Sequence, residues 1–324
     1  MQTDSGYQLV RLNNGICSVR PLADAETFHP VVGPVAEAEA LYVNQLRLRE
    51  RLRNHAGEFV IWDVGLGAAA NPLTVLRATR DIACRIRLVS FDHTLEPLEF
   101  ALKHAADLGY FGGYENRLGE FLHAHRVNFQ DGRQSVNWEF HLADFPTLIS
   151  RFAIAGHSLS LRGTSGERVG VRGVLERLAS SPQPSPPSAE EREKIPAPHA
   201  ILFDAYSPAR NPAMWTLPLF THLFQRLDPQ RPCALTTYSR STILRVTLLL
   251  AGFFVGVGHA TGEKEETTIA ANDLSLIAER LDGRWLERAR RSHSAEPMRE
   301  PVYRTAPLTA ESREKLQVHP QFKG

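Results

Sequence analysis

With 324 residues, 43% of them apolar and 23% charged, the chain has room for one large core or two small ones and the make-up of a water-soluble globular protein. A formal net charge of +1 excludes a global field drawing the molecule onto nucleic acid or an anionic membrane, leaving only local patches for that work. Cys17, Cys84 and Cys233 fall in no CxxC or metal spacing, so reduced thiols and a cytoplasmic setting are expected. The first residues lack a basic start followed by an apolar run, so no secretory leader is expected, and the longest apolar stretch, 246–257, is too short to span a bilayer. The 13 histidines are scattered, and none is assigned a metal or catalytic role.

Residues 1–28 read as a polar extension or short hairpin. Ala38, Leu41, Tyr42, Leu46 and Leu52 fall on one face of a helix beginning near Val35, with arginines opposite. The run Phe59-Val60-Ile61-Trp62-Asp63-Val64 is a compact strand followed by a glycine turn. Helices near 71–80, 96–108 and 145–154 then alternate with strands at 86–91 and 136–142. After a strand at 200–204 come a helix (213–227), a strand (233–238), a helix (241–251) and strands near 253–259 and 266–271. Such alternation predicts an α/β fold with a Rossmann-like, seven-stranded, mostly parallel sheet. The hairpin Thr261-Gly262-Glu263-Lys264 makes the last strand antiparallel, an ending that suits a class I methyltransferase sheet better than a dinucleotide dehydrogenase.

Residues 156–198 interrupt the alternation, and 180–188 hold four Ser, four Pro and one Gln. They are expected to be a disordered or loosely helical insertion, since little there can bury apolar surface. The expected organisation is an extension (1–28), a catalytic domain (29–278) carrying that insertion, and an arginine-rich helix and tail (279–324). The charge of the tail reads first as a solvated face and second as an RNA contact.

Two segments carry the chemistry. Asp63-Val64-Gly65-Leu66-Gly67-Ala68-Ala69-Ala70-Asn71 joins the first sheet strand to a helix, and its glycines let backbone approach a ligand. Asp92 ends the second strand, where an acid accepts from ribose hydroxyls, and Asp144 follows the third, within reach of an adenine amino group. With Asp63 they form a cradle of acids suited to a nucleoside bearing a positive sulfonium. A pyrophosphate would prefer a helix N-terminus without carboxylates, which disfavours a nicotinamide oxidoreductase. The second segment, Asp204-Ala-Tyr-Ser-Pro-Ala-Arg-Asn-Pro-Ala-Met-Trp-Thr216, leaves a buried apolar run, and two prolines make it a stiff loop. It reads either as a solvated turn or as a substrate loop. In the latter, Asp204 positions an amine, Tyr206 and Trp215 stack on a splayed base (core packing at the start of a helix being the other reading of Trp215), and Arg210 reaches a phosphate or carbonyl, with Ser207 and Asn211 alongside.

This second segment resembles the signature Asp-Ala-Phe-Ser-Pro-Ala-Lys-Asn-Pro-x-Met-Trp-Thr of the MnmC-type tRNA methyltransferases, with Tyr206 and Arg210 as mild substitutions. Gly65, Gly67 and Asn71 match the glycine loop of that family, Gly33-Pro-Val-Ala-Glu37 resembles its Gly-x-x-x-Glu segment, and Ala251-Gly252-Phe253 is similar to its Ala-Gly-Phe. The likeness covers roughly 29–150 and 200–271. It implies S-adenosyl-L-methionine as cofactor, Glu37 in the pocket wall, and methylation of an aminomethyl group on wobble uridine 34 in the tRNA anticodon loop. Members of that family often carry a second, flavin-dependent oxidase domain; no second Rossmann fingerprint appears in the 324 residues, so a stand-alone methyltransferase dependent on a separate enzyme for its aminomethyl-uridine is expected. Ala68 and Ala69 replace Thr and Gly of the family loop, and alanine there is expected to keep ordinary backbone angles. Glu263-Lys264-Glu265-Glu266 stands where relatives carry Lys-Arg-Glu, which should weaken phosphate contacts. The alternatives are a methyltransferase of this fold acting on another amine, and a binding module without turnover.

Overall fold

Strand β4 (Glu58–Val64) shows why the sheet lies at the centre of the molecule. Alternate residues of a strand face opposite sides: Phe59 and Ile61 join one buried cluster, while Val60, Trp62 and Val64 join another. The computed structural model describes residues 3–4, 6–23, 26–151, 195–262 and 265–323. Its main sheet runs β10-β11-β9-β8-β4-β5-β7-β6, from Phe254–Gly258 (β10), Thr267–Ala271 (β11), Ala234–Thr237 (β9) and Ala200–Phe203 (β8) to Arg85–Asp92 (β5), Gln134–Leu142 (β7) and Arg126–Asp131 (β6). Strands β9, β8, β4, β5 and β7 are parallel neighbours, and β11 is antiparallel to both β9 and β10. These are the seven expected strands, in a Rossmann-like sheet with an antiparallel last strand.

An eighth strand, β6, pairs antiparallel with β7 at the edge. It and the preceding helix Glu115–Ala124 were not foreseen, because β6 offers only Val127 and Phe129 as apolar signal. The expected continuous helix from Val35 is instead Pro34–Ala38, a π-helical segment Glu39–Asn44 and Leu48–Asn54, broken by the left-handed Arg47. Likewise the helix expected over 96–108 divides into Glu96–Lys103 and Ala105–Leu108.

The N-terminal residues form a three-stranded antiparallel sheet, β1 (Thr3–Asp4), β2 (Tyr7–Arg11) and β3 (Cys17–Pro21). Tyr7 and Val19 bury into the main core, so the hairpin is packed on the domain. The C-terminal segment is no loose tail either. Trp285, Leu286, Ala289, Met298, Leu308 and Leu316 sink into the second cluster, and the buried Gln321 amide bonds the backbone of Val255 and Leu281. Arg284, Arg288 and Arg291 stay on the solvated side of helix Gly283–Arg291.

Most of the expected insertion lies outside the described residues. Its last residues lie inside and are tied down: Ile195 is buried, and the Pro196 carbonyl accepts from the Trp62 indole at 3.0 Å. The boundary drawn at 198 therefore falls too late. Among the described residues, no helix is long and apolar enough to cross a membrane.

Candidate active site

A cavity of about 740 Å³ opens at the carboxyl ends of β4, β5, β7 and β8, where ligands of doubly wound sheets sit. Its floor is the loop after β4. Gly65 (φ +93°) runs so close to the chain after β8 that an added Cβ would lie 2.5 Å from the Asp204 carbonyl oxygen. Gly67 stands at φ +50°, and a Cβ there would only touch the Phe28 ring, at 3.4 Å. Ala69 corrects the expectation of ordinary angles: it stands at φ 59°, ψ 17°, left-handed, as N-cap of helix Ala70–Thr79. The tight turn closed by the Ala69 N–H on the Leu66 carbonyl at 2.8 Å demands that conformation where relatives have glycine. Holding alanine there costs about 1–2 kcal/mol.

Glu37, Gly65, Gly67, Asn71, Asp92, Asp144, Asp204, Tyr206 and Asn211 all line the cavity. Asp204 leaves β8 and accepts from the Asn71 side-chain amide at 2.6 Å, which fixes its carboxylate. Asp92 accepts from the Gly67 N–H at 3.0 Å, binding the loop to the end of β5. Asp144 caps helix 145–151 by accepting from the Thr147 N–H at 3.0 Å.

Four expected site residues stand elsewhere. Asp63 is fully buried beneath the loop, where it accepts from the Ser90 hydroxyl at 2.8 Å. Burial pushes its carboxyl up to about 8, the Ser90 bond opposing and the charges of Asp204 and Asp92 adding. Trp215 is no stacking platform: its ring is buried against Phe203, and its indole N–H donates to the Tyr206 carbonyl at 2.7 Å. The Ser207 hydroxyl donates to Glu26 at 3.2 Å, and its carbonyl accepts from the Arg210 and Asn211 N–H groups, both at 2.9 Å. Arg210 is exposed and off the cavity wall. Thr216 caps helix Leu217–Arg226, so much of the 204–216 segment is built to hold Asp204 and Tyr206 rather than to touch a ligand.

The hairpin brings in residues that motif reading missed. Glu26, Phe28 and His29 form one wall, with the Phe28 ring 5.8 Å from that of Tyr206. Tyr238 closes another, donating to the Ala205 carbonyl at 3.0 Å. Burial raises the Tyr238 phenol well above its ordinary value, with Asp204, Glu26 and Glu37 adding. His29 stands between Glu37 and Asp204, 3.5 Å from each. No local spacing marked these groups, since they come from a part of the chain remote from the glycine loop.

Six carboxylates line the cavity, from Glu26, Glu37, Asp92, Glu96, Asp144 and Asp204, and no Lys or Arg does so among the described residues. That lining suits a cation and repels a pyrophosphate. The carboxamide oxygen of Asn71 is a buried acceptor without a hydrogen-bond partner among the described residues. Beside a glycine loop stripped of Cβ atoms, a buried acceptor of this kind fits a sulfonium nucleoside carrying an α-amino group.

Residues 190–273 match the model of a family described as S-adenosyl-L-methionine-dependent methyltransferases. Over 244 residues the chain is 25% identical to the tRNA 5-methylaminomethyl-2-thiouridine biosynthesis bifunctional protein MnmC of Aeromonas hydrophila subsp. hydrophila. The match spans 72% of this chain and 30% of that protein. MNMC2 from Aquifex aeolicus shares the fold, with a TM-score of 0.60 at 19% identity over 97% of this chain and 84% of that one. These likenesses support a methyltransferase domain similar to that of the MnmC proteins, and S-adenosyl-L-methionine is its cofactor.

Proposed function

We propose that the protein is an N-methyltransferase acting on the aminomethyl group of wobble uridine 34 in tRNA. The observation that carries the reading is the carboxylate-lined cavity with Asp204 held at its base by Asn71. S-adenosyl-L-methionine supplies an electrophilic methyl carbon, already activated by its sulfonium. In this reading Asp92 and Asp144 take the nucleoside, the backbone of Gly65 and Gly67 forms the floor, and Glu37 and Asn71 meet the amino-acid end. Asp63 acts from below by supporting the loop. Asp204 accepts a hydrogen bond from the substrate amine and favours the positive charge that grows on its nitrogen. Tyr206 and Phe28 form the aromatic wall on which a splayed uridine stacks.

Contact with the tRNA backbone falls to the rim. Arg210 and Arg240 are exposed and follow the wall residues Tyr206 and Tyr238 closely in the chain. Arg288, whose charge with that of Arg240 acts on the buried Arg245, extends the basic surface to the C-terminal helix. The acidic character expected of the late loop is partly cancelled, because Glu266 pairs with Arg245 at 3.1 Å; Glu263 and Lys264 lie outside the described residues. A small cationic amine is the second reading, favoured by the same acidic lining. One titration tests the cofactor and a second separates the two substrates. Calorimetry should give micromolar one-to-one binding of S-adenosyl-L-methionine and none of NADH. Undermodified tRNA should bind with an affinity that falls steeply with salt, as phosphate contacts require; salt-independent or absent tRNA binding rejects the RNA substrate.

A further inference from the structure

We propose that the C-terminal segment 280–304 is a docking surface for the tRNA backbone; this deepens the substrate reading above and rests on it. Arg280, Arg284, Arg288 and Arg291 recur every three or four residues, and all four are exposed. Trp285, Leu286 and Ala289 sink one face of helix Gly283–Arg291 into the second cluster, so Arg284, Arg288 and Arg291 share the outward face. The helical rise spreads these three over about 10 Å of surface.

Nothing in the folded chain uses these charges. None of the four arginines makes an ion pair among the described residues. The two acids between 280 and 291 are engaged elsewhere: Asp282 caps the helix by accepting from the Trp285 N–H at 2.8 Å, and Glu287 pairs with Arg290 at 2.7 Å. Arg288 and Arg291 suit the helix dipole at the last turn, but Arg284 opposes it at the first. Like charges four residues apart also repel. These are small costs to the free protein, and a polyanion laid along the stripe reverses them.

The stripe connects to the cavity. The buried Arg245, on which the charges of Arg240 and Arg288 both act, donates to the Thr268 hydroxyl at 3.1 Å. That hydroxyl donates at 2.7 Å to the carbonyl of Ser239, the neighbour of the wall residue Tyr238. Beyond the helix, the Ala295 and Glu296 N–H groups donate to the Ala306 carbonyl at 2.9 and 3.0 Å and close a loop. The Met298 carbonyl accepts from the Leu217 N–H at 2.8 Å, which ties this loop to the end of the 204–216 segment. The loop presents Tyr303, 47% exposed, beside the exposed Arg304. Arginines without acidic partners, followed by an exposed aromatic ring, suit phosphates and an unstacked base. An anionic membrane is a poorer fit, because the helix has already buried the apolar face that would insert.

The test variant is Arg284→Gln/Arg288→Gln/Arg291→Gln, since glutamine keeps helix propensity. Filter binding of undermodified tRNA should show a Kd at least about 10-fold higher at about 0.1 M salt, and a plot of log affinity against log salt shallower by about 2–3. KM for tRNA should rise in step, while kcat, melting temperature and affinity for S-adenosyl-L-methionine stay at wild-type values. Lysine at the same three positions should restore binding, because phosphate contacts need the charge. Tyr303→Ala should weaken binding without changing the salt slope. Wild-type Kd and slope in the glutamine variant overturn the proposal. So does loss of binding to phosphatidylserine vesicles with tRNA affinity unchanged, which would mark a membrane surface. A wild-type chain that binds tRNA through these arginines yet adds no methyl overturns the wobble-uridine reading instead, and leaves the RNA contact standing.

Discussion

Replacing Asp63 by asparagine should remove a pH dependence that this buried carboxyl imposes on stability. Its pKa moves from 3.8 to about 8, chiefly through burial. Between those values the folded protein holds a proton that the unfolded chain has released, so stability falls as pH rises. At 1.36 kcal/mol per unit, the loss from this one group between pH 5 and pH 8 comes to about 3–4 kcal/mol. Asparagine is neutral throughout, keeps the acceptor for the Ser90 hydroxyl and carries a donor where the protonated acid has one. The assay is urea unfolding of ligand-free wild type and Asp63→Asn at pH 5, 6.5 and 8, where histidines and other acids contribute equally to both proteins. The variant should gain about 3 kcal/mol on the wild type across that interval. Parallel stability curves would refute the reasoning, showing that Asp63 is ionised in the folded protein at pH 5.

Gly65→Ala should lower stability by about 3 kcal/mol and the melting temperature by at least about 5 °C, since the new methyl meets the Asp204 carbonyl at 2.5 Å and φ is +93°; an unchanged melting curve would show that the loop gives way freely. Asp204→Asn should retain fold and cofactor binding while losing turnover, and wild-type kcat removes Asp204 from the mechanism. Trp215→Phe should cost about 1–2 kcal/mol in denaturant unfolding, because the Tyr206 carbonyl loses its indole donor. Deleting 158–194 should leave the melting temperature within about 2 °C, whereas extending the cut through Ile195 and Pro196 should lower it clearly, as the Trp62 bond and a core contact go with them.

What was legible in the sequence follows the strength of the local signal. The central strands are near-continuous apolar runs, as in Ala200-Ile201-Leu202-Phe203, and each delivers an acid or glycine loop to its carboxyl end; Asp204, Gly65 and Asp92 were visible for that reason. Strand β6 was hidden because only Val127 and Phe129 mark its inner face. The C-terminal helix was read as surface because its arginines outnumber the stripe Trp285, Leu286 and Ala289 that buries it. Trp215 stayed open between core packing and base stacking because a motif reports which residues recur, not whether they face a ligand or one another. His29 was out of reach altogether: its place in the wall depends on the N-terminal segment folding over the cavity, a tertiary fact with no periodicity.

Methyl transfer itself tests the central claim most directly. Undermodified tRNA bearing the aminomethyl uridine is incubated with protein and S-adenosyl-L-methionine, then digested to nucleosides for mass spectrometry. One added methyl on the wobble nucleoside, absent with Asp204→Asn, is the predicted result. An unmethylated nucleoside, from protein shown to bind the cofactor, contradicts the account.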